Sequence, residues 1–121
     1  MPITNLSDAQ HIFIVTGYTD MRKGINGLLN VITTLIDLTT VEDAVFLYCG
    51  RRRDRYKALY WDGDGFMMLY KRLESGRLQW PKSQQAVQQL TEQQIKWLLE
   101  GLSIDQPKAI HNFDVSNSSN F

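Results

Sequence analysis

Tyr56-Lys57-Ala58-Leu59-Tyr60-Trp61, then Asp62-Gly63-Asp64-Gly65, then Phe66-Met67-Met68-Leu69-Tyr70-Lys71-Arg72-Leu73 reads as a β-hairpin. Aromatic and aliphatic residues fill both arms, and Asp and Gly between them tolerate the positive φ of a tight turn. If Gly63 and Asp64 are the two turn residues, Tyr56 lies opposite Lys71 and Arg55 opposite Arg72. Facing like charges destabilise such a pair, unless a bound phosphate or a neighbouring carboxylate relieves them.

Beyond the return arm, Glu74-Ser75-Gly76 reads as a second turn and Arg77–Trp80 as a short strand ended by Pro81. The three segments together predict a meander. Upstream, Ala44–Cys49 is apolar at every position but Tyr48's hydroxyl, the pattern of a central strand buried on both faces. His11–Val15 is a β-branched and aromatic run that reads as another strand. Between these two, Met21, Ile25, Leu28, Leu29, Ile32, Leu35 and Ile36 recur at helical spacing, with Asp20 as N-cap and an end near Asp37. Gly24 and Gly27 weaken that helix, and close packing on the sheet would account for them. Ser83–Leu90 is glutamine-rich and favours no element. Thr91 with Gln94 fits a capping box, and Ile95, Leu98, Leu99 and Leu102 give the following helix its apolar stripe up to Gly101 and Pro107. The expected fold is α+β: a mostly antiparallel sheet with a three-stranded meander, packed with two helices in the order β-α-β-β-β-β-α. Residues 1–112 form one domain, and the polar stretch 113–121 reads as a mobile tail.

With 121 residues, 43% of them hydrophobic, the chain can bury a core of its own. Formal net charge is zero, yet the charge is unevenly spread. Residues 51–82 hold nine cations and four anions, while the flanking regions are mildly acidic. Any attraction for a polyanion therefore belongs to the middle of the chain. The single cysteine, Cys49, allows no intrachain disulfide and reads as a small buried hydrophobe in a reducing compartment. Met1–Gln10 lacks the apolar run of a secretory signal, and no apolar stretch reaches membrane-spanning length, so a cytoplasmic location is expected.

The densest basic stretch, Arg51-Arg52-Arg53-Asp54-Arg55-Tyr56-Lys57, carries five cations in seven residues. Basic groups interleaved with aromatic rings suit a phosphate backbone and unstacked bases. Lys71, Arg72 and Arg77 extend the same region. Arg22 and Lys23 fall in the first turn of the expected helix, where cations oppose the macrodipole and where a phosphate would be welcome. These ten residues form the candidate nucleic-acid surface. Asp62 and Asp64, with Glu74, could be imagined as a metal-dependent nuclease centre, but the interleaved glycines mark the two aspartates as turn formers. His11 and His111 have no further ligand at metal spacing, so no metal or other cofactor is expected. No nucleophile–base pair, Walker loop or dinucleotide fingerprint occurs. Gly24-Ile25-Asn26-Gly27 has the GxxG spacing of a KH loop but lies within the helical pattern.

Several motifs in fixed order carry a family resemblance: Thr19-Asp20-Met21-Arg22-Lys23-Gly24, Gly27-Leu28, Gly50-Arg51-Arg52, Tyr60-Trp61-Asp62-Gly63-Asp64-Gly65-Phe66, Lys71-Arg72-Leu73-Glu74-Ser75-Gly76-Arg77, Trp80-Pro81 and Leu98-Leu99-Glu100-Gly101. Over Thr19 to Pro107 the chain resembles the second-open-reading-frame proteins, often called TnpB, of the insertion-sequence-66 family of bacterial transposable elements. The resemblance implies a small accessory protein working beside a separate transposase that holds the cut-and-join chemistry. It supplies no active-site residues. The Gln84–Gln89 stretch and the tail after His111 depart from the family pattern. The expected function is thus a non-catalytic accessory factor of transposition whose basic surface contacts element DNA, the transposase, or both. A module that docks on the transposase without touching DNA is the alternative, because arginine also favours protein interfaces. A small nuclease is a distant third.

Overall fold

A computed structural model describes residues 9–106. Five strands and two α-helices follow one another as β1 (His11–Val15), α1 (Ile25–Thr33), β2 (Ala44–Cys49), β3 (Arg55–Trp61), β4 (Phe66–Arg72), β5 (Val87–Gln89) and α2 (Glu92–Leu99). The expected domain limit at 112, the tail 113–121 and His111 lie outside the described residues.

The strands form one sheet in the order β4-β3-β2-β1-β5. All neighbours are antiparallel except β1 and β2, which run parallel and are joined through α1. A parallel pair needs a crossover of this length, whereas β2, β3 and β4 can follow one another as hairpins. The hairpin register is the one read from the turn: Arg55 faces Arg72, Tyr56 faces Lys71 and Trp61 faces Phe66. Gly63 has φ +89°, as the first central residue of a II′-type turn requires, and the Asp62 carboxylate accepts from the amides of Asp64 (2.8 Å) and Gly65 (2.7 Å).

β2 is central and wholly buried, and the reason it is apolar on both faces is now visible. Ala44, Phe46 and Tyr48 meet Leu28 and Ile32 of α1 on one face. Val45, Leu47 and Cys49 meet Ile95 and Leu98 of α2 on the other. Each helix therefore covers its own side of the sheet. Tyr48 is fully buried and donates its hydroxyl to the Leu28 carbonyl at 2.9 Å, tying α1 to the central strand. The capping box of α2 is present: Thr91 Oγ1 accepts from the Gln94 amide (3.1 Å) and Gln94 Oε1 from the Thr91 amide (3.0 Å). Gly101, at φ +83°, turns the chain away.

Three expectations need correction. Arg77–Trp80 is not a strand. Leu78 and Trp80 are buried and their neighbours exposed, which is the period of any extended segment with one face on a core. Its hydrogen bonds go elsewhere: the Leu78 amide to Arg53 O (2.7 Å) and Trp80 Nε1 to Val15 O (2.9 Å). The segment crosses the end of the sheet instead of extending it, and the meander is β2-β3-β4. Second, α1 begins at Ile25, not at Asp20, and ends at Thr33; Asp37 caps a separate 3-10 turn, Leu38–Thr40. The Asp20 carboxylate closes a local turn by accepting from the Arg22 amide at 2.9 Å. Third, the glycines do not serve packing on the sheet. A Cβ at Gly24 would meet nothing within 4 Å, and one at Gly27 only the Lys23 side chain. The strand missed by the sequence reading, β5, lies in the glutamine-rich stretch and pairs with the free edge of β1.

Candidate nucleic-acid interface

Strand direction decides what meets at each end of this sheet. β1, β2 and β4 end where β3 begins. The loop after β1, the loop between β2 and β3, and the segment after β4 are therefore neighbours, though they are distant in sequence. Two backbone bonds stitch the last two together: Leu73 N to Asp54 O (2.6 Å) and Leu78 N to Arg53 O (2.7 Å). Another, Thr19 N to Cys49 O (2.9 Å), ties in the first. These three segments, with the adjoining ends of β3 and β4, hold ten of the chain's 13 lysines and arginines: Arg22 and Lys23; Arg51, Arg52, Arg53, Arg55 and Lys57; Lys71, Arg72 and Arg77. Within these segments Asp20, Asp54 and Glu74 are the only acids, and Asp105 comes near Arg53 from beyond α2. All ten candidate residues are thus brought to one end of the molecule.

They are not equivalent. Arg22 forks onto Asp20, Nε to Oδ1 at 3.0 Å and Nη2 to Oδ2 at 2.8 Å, and this pair holds the Asp20 carboxyl well below the usual carboxylate range. Because α1 starts at Ile25, Arg22 and Lys23 precede its N-cap Gly24 instead of lying within its first turn, and the charge of Arg22 is paired with Asp20. Arg55 is held by Asp54 at 2.9 Å, with both side chains largely covered, and reaches the Tyr70 hydroxyl at 3.3 Å. The hydrogen bond from Arg55, with the charges of Arg55 and Arg52, lowers the Asp54 pKa. Arg72, facing Arg55, approaches Glu74 at 3.7 Å. Carboxylates therefore relieve part of the like-charge strain foreseen in the hairpin.

Lys57 sits behind the surface. It is buried on the α1 side, donates Nζ to the Lys23 carbonyl at 2.8 Å and lies 5.7 Å from the Tyr70 ring centroid. Its role in the structure is to position the loop before α1. Arg51, Arg53, Lys23, Lys71 and Arg77 have no ion-pair partner among the described residues, and Arg52 has only a 3.5 Å contact with Asp54 while 73% exposed. Arg51 places its guanidinium 5.6 Å from the Tyr18 ring centroid. Lys82, next to Pro81, shares a depression with Arg53, Gln79, Trp80 and Asp105. Tyr18, as a platform for Arg51, was not picked out in the sequence; nothing in its local pattern separates it from a core aromatic.

Asp62 and Asp64 occupy the opposite end of β3, ~20 Å of strand away from Asp54 and Glu74. The imagined carboxylate centre is therefore split, and among the described residues no group of three or more His, Cys, Asp or Glu side chains is placed to hold a metal ion. Among them, too, no helix is long and apolar enough to cross a membrane.

The family model for IS66 Orf2-like proteins matches residues 10–109. The chain belongs to the IS66 Orf2-like family. Membership implies an accessory protein of transposition, as the motifs suggested. Two relatives come from Sinorhizobium fredii strain NGR234. Uncharacterized protein y4hO is 30% identical over 97 residues, 80% of this chain and 84% of its own. Uncharacterized protein y4jC is 29% identical over 91 residues, 75% of this chain and 78% of its own. No solved structure matches. The family motifs Gly50-Arg51-Arg52 and Lys71–Arg77 lie in two of the three segments that meet at the basic end, and Thr19–Gly24 is the third.

Proposed function

We propose that this family member is a non-catalytic accessory protein of transposition that contacts DNA through the basic end of its sheet. The observation that carries the reading is the convergence of three separated basic segments, with nine cations besides the inward-held Lys57 against three carboxylates of the same segments, in a chain of zero formal charge. A neutral protein gains nothing from concentrating charge this way unless an anionic partner repays the repulsion. Several of these cations have no carboxylate of their own, the state suited to phosphate oxygens. Phosphate contacts of this kind give affinity and orientation with little base specificity.

Fluorescence anisotropy with labelled element-end duplex and a scrambled duplex, at low and physiological salt, tests it. Salt-sensitive binding to both is expected. Absence of binding at low salt would overturn DNA contact and leave the transposase, through acidic surface on it, as the partner of the same arginines. A pull-down of transposase in the presence of nuclease would then register that interaction.

A further inference from the structure

Where β1 and β2 run out side by side, the loops that follow them part around a cleft of about 450 Å³. Crevices outside the carboxyl ends of adjacent parallel strands are the usual ligand positions of sheets with helices on both faces. Pockets that enclose small-molecule-sized groups span about 300–1,000 Å³. One wall is Tyr18–Met21 and the other is Gly50–Arg52, with Arg55 completing the lining. The Thr19 amide bond to Cys49 O sets how closely the walls approach at their base. Gly50 is needed for this approach, since a Cβ there would stand 2.9 Å from Met21 Cγ and 3.3 Å from Thr19 O.

The lining has two chemistries. Tyr18 and Met21 offer an aromatic ring and a polarizable thioether. Arg51 and Arg52 offer guanidinium groups, of which the first has no ion-pair partner among the described residues and lies 5.6 Å over the Tyr18 ring. Asp20 is the only acid in the lining, and Arg22 covers both its oxygens. Thr19 is 5% exposed, yet its hydroxyl oxygen has no hydrogen-bond partner. Such a group ordinarily costs about 1–3 kcal/mol.

We propose that this cleft receives one unpaired nucleotide of a DNA strand, with its base against Tyr18 and its phosphate on Arg51 and Arg52. A ring, a guanidinium 5.6 Å from its centroid and a second arginine in the lining match a base and its phosphate, the pairing used by single-strand binders. A base still stacked within a duplex cannot enter a cleft between two loops. The inference rests on the reading of this end as a DNA surface and adds a preference for unpaired ends.

The test compares anisotropy titrations on a blunt duplex and on the same duplex with short 5′ or 3′ overhangs, for the full chain and for Tyr18→Leu. An overhang is expected to bind more tightly than the blunt duplex, and Tyr18→Leu to lose that advantage, about 5- to 150-fold. Equal affinity for blunt and overhang DNA, or an overhang preference retained by a folded Tyr18→Leu protein, would overturn the cleft assignment and leave the DNA surface standing. Absence of binding to any of these probes at low salt would overturn both.

Discussion

Replacing Arg51 and Arg52 by alanine and Arg53 by glycine removes three cations from the basic end with little expected disturbance of the fold. Arg51 and Arg52 are exposed. Arg53 has φ +60°, a left-handed conformation that costs a side-chain-bearing residue roughly 1–2 kcal/mol and that glycine adopts freely. The backbone bonds of Arg53, from its amide to Gly50 O (3.3 Å) and to its carbonyl from Leu78 (2.7 Å), survive the change. Arg55 is left in place because its removal would strand the largely covered Asp54 carboxylate. If each lost arginine had displaced one counterion, the slope of log affinity against log salt falls in magnitude by about 2.7, at about 0.9 per phosphate contact. Between about 50 and 200 mM salt the intact protein should then lose about 40-fold more affinity than the variant. Anisotropy titrations across that range, with thermal melts of both proteins, measure it. An unchanged slope in a variant that melts with the parent would refute the assignment of these arginines to phosphates.

Thr91→Ala removes the N-cap of α2, whose hydroxyl accepts from the Gln94 amide at 3.1 Å, and should cost about 1 kcal/mol in urea unfolding without altering DNA affinity. Tyr48→Phe deletes the buried bond to the Leu28 carbonyl and should cost about 0.5–1.5 kcal/mol by the same assay. Burial pushes the Cys49 thiol up to about 12, so a thiol reagent near neutral pH should leave the native protein unmodified and react fully once it is denatured. The same shift has a stability consequence. The folded thiol keeps its proton above the pKa of about 8.5 that an unfolded cysteine has, so stability is whole below that value and declines as pH rises toward 12. Cys49→Ala should make the alkaline decline shallower in pH-dependent melts.

Local patterns that report burial were legible in the chain. The double-sided apolarity of Ala44–Cys49 marked the central strand, because both faces of β2 carry a helix. The turn chemistry of Asp62–Gly65 set the β3–β4 register, since a two-residue turn leaves only one alignment of the arms. Thr91 and Gln94 announced the start of α2 through a bond that is local in sequence. Patterns failed where local geometry and long-range pairing part company. Leu78 and Trp80 alternate like a strand, but alternation signals extended backbone on a core and says nothing of a ladder partner. Val87–Gln89 has two exposed glutamines and became a strand because β1 had an unpaired edge.

Composition and spacing alone thus determined the α+β class, the hairpin register, the second helix and the identity of the basic residues, because each depends on side chains within a few positions of one another. Only the tertiary structure decided which of those residues share a surface. The loops after β1 and β2 are neighbours because the two strands run parallel, and the segment after β4 joins them because two antiparallel hairpins return the chain to the same end. It also decided that Lys57 stands behind that surface, its ammonium held by the Lys23 carbonyl, and that Asp62 and Asp64 stand at the far end. Strand direction is a property of long-range hydrogen bonding, and no local window of sequence contains it.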